Sequence, residues 1–321
     1  MRIAPVLAAS LLLAACATTQ TPTPPIASGA VPSQVPPAIE AQLQQIGRVV
    51  APPQTATLYA PLQQKEPYAG VKVERDQRYG ADARHLLDVF TPEAGSGARP
   101  VLVFVHGGAF IAGNKRTGSS PFYDNIMLWA VQNGMVGVNM TYRLAPQNPW
   151  PAAQQDIRDA LAWVRQNVAA RGGDPARIYL MGHSAGAAHV AQYLGHGQFH
   201  AVPGGGIAGA IMLSGIFDPA TAQVNPPLQA YFGTDASVYA QRSALPGIAK
   251  SRVPVLLAFA ELDPSDFHEQ AEQARGALCR GTDCPPLLQL QGHSHMSEVY
   301  AINTPDRALS DALRAFILGT R

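Results

Sequence analysis

Beyond residue 37, short apolar runs alternate with segments whose apolar residues recur at helical spacing. Six apolar runs are candidate central strands: residues 101–105, 136–140, 178–181, 207–213, 253–259 and 287–290. Between them, residues 156–168 carry one apolar stripe at helical spacing, and residues 185–194 and 308–318 are further predicted helices. This alternation predicts an α/β fold with a mostly parallel central sheet and helices on both faces.

Two longer segments interrupt the alternation and are candidates for a small cap over the carboxyl edge of the sheet. Residues 217–248 are punctuated by Pro and Gly and are longer than a plain connection between a strand and a helix. Residues 38–73 precede the first predicted central strand and form the second candidate.

The N-terminal residues have the pattern of a targeting segment. Arg2 supplies a positive charge, and residues 6–15 are an apolar stretch that ends at Cys16. The residues LAAC at 13–16 resemble a bacterial lipobox, which implies cleavage before Cys16 and lipid on its thiol and new N-terminus. A secretory signal with a chance Cys is the alternative. We predict a signal peptide at 1–15, a flexible tether at 16–37 and one α/β domain at 38–321.

Composition and charge narrow the location and the partners. The 321 residues are 47% hydrophobic and 14% charged, with a net charge of +1, which argues against nucleic acid as a partner. The lipobox resemblance implies a bacterial cell envelope, and Ala17 rather than Asp after the Cys implies its outer membrane. In that oxidising location Cys279 and Cys284 are expected to form a disulfide, with two buried free thiols as the alternative.

Residues 182–186, with the sequence GHSAG, are typical of a nucleophile elbow. They follow the predicted strand at 178–181 and precede the predicted helix at 185–194, which is the context that a G-x-S-x-G match requires. Two glycines allow a tight turn that exposes the hydroxyl of Ser184, and the helix N-terminus directs free N–H groups at the same place. A glycine-rich loop with a surface Ser is the alternative.

Further motifs in order along the chain resemble the hormone-sensitive-lipase-like esterases of the α/β-hydrolase superfamily. The sequence HGGAF at 106–110 ends the strand at 101–105, and YRLAP at 142–146 and PWPA at 149–152 follow. The resemblance implies an oxyanion hole made of the backbone N–H groups of Gly108, Ala109 and Ala185. Ala109 stands where the lipase-like members commonly have a third Gly, so a confined acyl site is expected.

A nucleophilic serine needs a base, and the base needs an acid that orients it. In this fold the chain order is Ser, acid, His. Asp263 follows the strand at 253–259 and is the favoured acid, with Glu261, Asp266 and Asp218 as rivals.

Two histidines compete for the role of base after the last predicted strand. His295 is favoured because Met296 can bury and Ser297 can begin a helix, as at the loop that carries the base in similar hydrolases. His293 is nearer to the end of the strand and is the alternative.

The resemblance and the candidate residues together predict a serine carboxylesterase that cleaves esters of short acyl chains, about two to six carbons, through an acyl-enzyme. An arylformamidase or another amidase with the same residues is the first alternative, and an inactive lipid-anchored binding protein is the second. The partner is a small-molecule ester. The sequence carries no H-E-x-x-H, EF-hand or P-loop pattern, so neither a metal nor another cofactor is expected.

Overall fold

The computed structural model describes residues 26–95 and 97–319, which form nine β-strands and a set of surrounding helices. The strands are β1 (Gly29–Val31), β2 (Val71–Arg78), β3 (Leu86–Pro92), β4 (Arg99–Val105), β5 (Val136–Met140), β6 (Gly173–His183), β7 (Gly209–Leu213), β8 (Val255–Ala260) and β9 (Leu287–Leu290). The α-helices are α1 (Pro37–Ile46), α2 (Pro52–Tyr59), α3 (Asp124–Gln132), α4 (Ala152–Asn167), α5 (Ala185–Gly195), α6 (Pro226–Phe232), α7 (Leu245–Ile248), α8 (Ser265–Leu278), α9 (Ser297–Tyr300) and α10 (Ser310–Gly319). Short 3₁₀ helices span Ala60–Leu62, Ala169–Arg171, Gly197–Phe199, Pro203–Gly206, Ala236–Val238 and Ala240–Arg242.

All nine strands belong to one sheet, in the order β1-β9-β8-β7-β6-β4-β5-β3-β2. Strands β4 to β9 and β1 pair in parallel, whereas β3 runs antiparallel to its two neighbours, β5 and β2. Because the central strands are parallel, their carboxyl ends meet at one edge of the sheet, and the loops that follow β4, β6, β7, β8 and β9 converge there.

The core lies on both faces of the sheet, since successive side chains of a strand point to opposite sides. Along β4, Val101, Val103 and Val105 pack with the apolar stripe of α4 and with residues of α5 and α8. Leu102 and Phe104 pack on the other face with residues of α3, α9 and α10. The fold therefore has three layers, as the alternation of apolar runs predicts.

Three strands that the sequence analysis did not predict form the two sides of the sheet. Strand β2 has charged residues at most of its positions, and β1 has three residues, so neither shows an apolar run. Strand β1 also corrects the tether predicted for residues 16–37. Gly29–Val31 pairs with β9, and Ser28 Oγ accepts a hydrogen bond of 3.1 Å from Leu287 N. The folded domain thus begins before residue 38.

Two other sequence predictions concern the chain ends and the cysteines. Cys279 and Cys284 are joined by a disulfide in the connection between α8 and β9. The signal peptide at 1–15 and the lipidation site Cys16 lie outside the described residues. Among the residues that the structure describes, no helix is long and apolar enough to cross a membrane.

Candidate active site

Ser184 lies in the sharp turn between β6 and α5, with φ 57° and ψ −126°. A non-glycine residue at positive φ is strained, and such strain is concentrated at functional sites. The flanking glycines make the turn possible because a Cβ at Gly182 would collide with Gly186 O, and a Cβ at Gly186 would collide with Val105 O. The sequence GHSAG therefore forms the elbow geometry that its spacing predicts.

His295 and Asp263 are brought together by the loops after β9 and β8. His295 Nδ1 and Asp263 Oδ1 are 2.7 Å apart, and both side chains are fully buried. Within the described chain His295 Nε2 has no hydrogen-bond partner, so this nitrogen is available to a hydroxyl or to a substrate. The pair has the arrangement of a base whose ring is oriented by a carboxylate.

Asp263 is held by more than the histidine. Its Oδ2 accepts hydrogen bonds from Ser214 Oγ at 2.6 Å and from Ala260 N at 2.8 Å. Burial alone would raise the pKa of Asp263, but the charge and hydrogen bond of His295 and the bonds from Ser214 and Ala260 hold that pKa below its usual value. The carboxylate thus stays ionised inside the protein.

The rival acids have other positions. Glu261 Oε2 accepts a hydrogen bond of 2.7 Å from Gly292 N, and Asp218 Oδ1 accepts one of 3.0 Å from Ala220 N. Asp266, in the first turn of α8, lines the cavity above Ser184.

The ring of the rival base, His293, has partners other than Asp263. Its Nδ1 is 3.1 Å from Ser297 Oγ, and its Nε2 is 3.2 Å from Asp306 Oδ2. Among the described residues His295 alone makes the ring contact with Asp263 that a base requires.

The loop after β4 takes backbone conformations that suit an oxyanion hole. Gly108, Ala109 and Phe110 all have positive φ, at 131°, 49° and 68°. In the described chain the N–H groups of Gly108 and Ala109 donate to no protein acceptor, and Ala185, as the first residue of α5, has an N–H without an intrahelical partner. A Cβ at Gly108 would collide with Ala112 O, which explains why that position requires glycine.

His183 connects the elbow to the loop of His295. Its Nε2 donates a hydrogen bond of 2.8 Å to His295 O, and the same nitrogen lies 3.1 Å from Glu298 Oε1. Burial lowers the pKa of His183 to about 4, so its ring is neutral. Burial, reinforced by the negative charge of Asp263, raises the pKa of Glu298 well above its usual value. Burial thus favours the neutral forms of both His183 and Glu298 beside His295.

Atoms of His183, His295 and Glu298 that could bind a metal lie within 4.8 Å of one another. The hydrogen bonds from His183 to the carbonyl of His295 and from His295 to Asp263 account for this closeness without an ion.

A cavity of about 750 Å³ opens above Ser184 and is lined mainly by apolar side chains. One wall comes from residues 107–113 in the loop after β4, a second from Val50 and Pro52, and a third from Gln223 to Leu228. Both segments that the sequence analysis proposed as cap candidates thus contribute to the cover of the site. The volume is in the range of small-molecule sites.

The sequence analysis assigned no role in the site to three polar residues that the structure places there: His183, Ser214 and Glu298. Ser214 follows directly after β7, at the same sheet edge as Ser184, and that position was a usable signal. Glu298 carried no signal, because a Glu in the first turn of a helix is ordinarily an exposed residue.

The chain is similar to known proteins over part of its length. Residues 87–203 match the family model described as BD-FAE, a range that includes Gly108 and Ser184 and ends before Asp263. The chain is similar to the isoprenylcysteine α-carbonyl methylesterase of Arabidopsis thaliana, at 38% identity over 120 residues, which are 37% of this chain and 27% of that protein. It is also similar to the esterase LipQ of Mycobacterium tuberculosis, at 41% identity over 119 residues, which are 36% of this chain and 27% of that protein. The chain thus spans about a quarter of the length of these curated relatives.

Solved structures resemble the chain over most of its length. Esterase B from Lactobacillus rhamnosis superposes with a TM-score of 0.65 at 16% identity, over 88% of this chain and 93% of that one. A bacterial heroin esterase superposes with a TM-score of 0.66 at 22% identity, over 89% of this chain and 98% of that one. At identities this low, the superpositions establish the fold alone. It is the α/β-hydrolase fold that the sequence motifs predict.

Proposed function

We propose that this α/β-hydrolase is a serine carboxylesterase in which Ser184 is the nucleophile, His295 the base and Asp263 the acid that orients the base. The backbone N–H groups of Gly108, Ala109 and Ala185 form the oxyanion hole. The substrate is a small-molecule ester of a short carboxylic acid.

The observation that carries the proposal is the bond of 2.7 Å between His295 Nδ1 and Asp263 Oδ1. This bond orients the ring and leaves its Nε2 without a partner among the described residues. A buried imidazole oriented by a carboxylate beside a strained serine elbow is suited to take a proton from a hydroxyl. The apolar cavity above the elbow supports an uncharged acyl group as substrate.

The reaction proceeds in two halves. Ser184 Oγ attacks the acyl carbon while His295 Nε2 takes the hydroxyl proton, and the N–H groups stabilise the negative oxygen of the tetrahedral intermediate. The ester bond then breaks, and the imidazolium gives its proton to the departing alcohol. Water repeats the sequence on the acyl-enzyme, which releases the carboxylic acid and restores Ser184.

The names of the similar proteins support an ester as the substrate, since the curated relatives and the solved structures are esterases. Ala109 supports a short acyl chain, because its methyl group lines the cavity where the lipase-like pattern has a glycine.

The decisive experiment is to treat the purified protein and its Ser184→Ala variant with a fluorophosphonate probe and with p-nitrophenyl butyrate. We expect probe labelling and turnover by the unaltered protein, and a loss of about 10⁵-fold in kcat/KM for the variant. Activity of Ser184→Ala within tenfold of the unaltered protein would contradict the proposal. Preference for aryl amides over aryl esters would assign the site to the amidase alternative instead.

We further propose that lipid on Cys16 anchors the enzyme to the outer membrane of a bacterial cell. The LAAC sequence at 13–16 supports this location. Cys16→Ser should abolish metabolic labelling with palmitate and leave an unprocessed precursor. Unchanged processing would instead indicate an ordinary signal peptide.

A further inference from the structure

Asp266 is the one carboxylate among the described residues that line the cavity above Ser184, and no Lys or Arg accompanies it there. It lies in the first turn of α8, three residues after Asp263. The remaining lining is largely apolar and includes the aromatic residues Tyr123, Phe267 and Tyr300. Phe267 also packs against the His295 ring, with ring centroids 4.5 Å apart, so Asp266 adjoins the catalytic end of the cavity.

The negative charge of Asp266 has no ion-pair partner among the described residues. Its Oδ2 accepts a hydrogen bond of 3.1 Å from Gln223 N, and no described Lys, Arg or His lies within ion-pair distance. Burial, together with the negative charge of Glu269, raises the pKa of Asp266 above its usual value. A half-buried carboxylate without a cation is costly, and a cationic ligand would relieve that cost.

We propose that Asp266 makes the enzyme selective for esters that carry a cationic ammonium group, which would bind between the carboxylate and the aromatic lining of the cavity. Carboxylates and aromatic faces are the groups that bind ammonium ions in proteins, the aromatic face through its negative quadrupole. The same charge disfavours esters whose acyl or alcohol part ends in a carboxylate. This inference rests on the proposed esterase function and names its substrate class.

The hydrogen bond to Gln223 N is a competing explanation for Asp266, because it fastens the cap segment to α8. Asp266→Asn separates the two roles, since the amide oxygen can still accept that bond while the charge is lost. Loosening of the cap would change the hydrolysis of all esters alike. Loss of charge would change the ratio between a cationic ester and an uncharged one.

The test compares butyrylcholine with 3,3-dimethylbutyl butyrate, in which a carbon replaces the charged nitrogen and the shape is kept. We expect the unaltered enzyme to favour butyrylcholine in kcat/KM by about tenfold, the effect of one partly screened charge pair. In Asp266→Asn this ratio should fall to near one. Glu269→Gln is the matched control, because it removes a charge from the same helix but lies outside the cavity lining, and its ratio should stay within about twofold of the unaltered value.

Binding provides a readout that does not depend on turnover. Butyrylcholine should bind to Ser184→Ala about tenfold more tightly than to the double variant Ser184→Ala with Asp266→Asn, as measured by calorimetry. Equal affinities, or an equal ester ratio before and after Asp266→Asn, would overturn the role of Asp266 while the esterase proposal stands. Failure of the unaltered enzyme to hydrolyse either ester or to react with a fluorophosphonate would overturn the esterase proposal instead.

Discussion

Two polar clusters lie at different places on the sheet and differ in the groups that pair with their carboxylates. The edge cluster, near β2 and β3, consists of Glu66, Arg75, Asp88, Lys115 and Asp124. The histidine cluster, at the carboxyl edge, consists of His183, Ser214, Asp263, His295 and Glu298. In the edge cluster Asp88 is fully buried. Its Oδ2 lies 2.9 Å from Arg75 Nη1, and its Oδ1 lies 2.7 Å from Lys115 Nζ.

The edge cluster pairs its carboxylates with the cationic side chains of Arg75 and Lys115 in the folded protein. The partner of Asp263 is the imidazole of His295, which takes up a proton in the proposed mechanism. In that mechanism the positive charge beside Asp263 develops together with the negative charge on the substrate oxygen. We therefore expect the edge cluster to stabilise the fold and the histidine cluster to stabilise charge in the proposed reaction.

Among the variants that test this comparison, the largest effect on turnover is expected from the two competing histidines. His295→Ala removes the group that bonds to Asp263, and kcat/KM for p-nitrophenyl butyrate should fall about 10⁴-fold. His293→Ala should keep activity within about tenfold, because its ring contacts Ser297 and Asp306 instead. An inactive His293→Ala beside an active His295→Ala would reverse the assignment.

The next largest effect tests whether the edge cluster is structural. Asp88→Asn leaves Arg75 and Lys115 less compensated inside the protein, and the free energy of unfolding in urea should fall by about 3 kcal/mol. Asp311→Asn is the matched control. It breaks an exposed pair with Arg307, and its cost should stay below about 0.5 kcal/mol. Per folded molecule, both variants should hydrolyse p-nitrophenyl butyrate at the rate of the unaltered protein. A loss of kcat in Asp88→Asn alone would contradict a purely structural role of the edge cluster.

A smaller effect is expected from Ser214→Ala, which removes one hydrogen bond from Asp263 and lets that carboxylate and the His295 ring move. A hydrogen bond to a charged group contributes about 1.5–3 kcal/mol, so kcat should fall roughly 10-fold to 100-fold while KM changes little. Ser294→Ala removes a buried hydroxyl that has no partner in the described chain, and should change kcat by less than about twofold. Equal losses in the two variants would show that Ser214 acts only through packing.

The smallest effect on turnover is expected from Glu298→Gln, because the raised pKa of Glu298 favours its neutral carboxyl, which the amide resembles. Stability should respond instead. A raised pKa in the folded state means that the stabilisation is complete below the unfolded pKa of Glu, about 4.3, and is lost as the pH rises toward the folded pKa. The variant lacks this loss, so the Tm of the variant minus the Tm of the unaltered protein should increase from pH 5 to pH 8. A decrease of this difference would mean that Glu298 is ionised in the folded protein.

Local pattern and spacing predicted a large part of the fold. The six central strands and the helices at 152–167, 185–195 and 310–319 were predicted, with their ends displaced by up to five residues. A buried strand or an amphipathic helix shows in the period of its own residues. Strands β1 and β2 lack such a period. Strand β1 is held by β9, and the polar residues of β2 are accounted for by partners from other elements, as Arg75 is by Asp124 of α3.

The sequence by itself determined the strained elbow at Ser184 and the oxyanion loop at Gly108, since each depends on the backbone freedom of neighbouring small residues. It narrowed the acid and the base to a few candidates. The tertiary structure decided that His295, rather than His293, has its ring against Asp263. It also decided that Ser214 donates a hydrogen bond to Asp263 and that Asp266 lines the cavity. These relations join residues 32 and 49 positions apart, and a local pattern contains no information about which distant side chains the packing of helices on a sheet brings into contact.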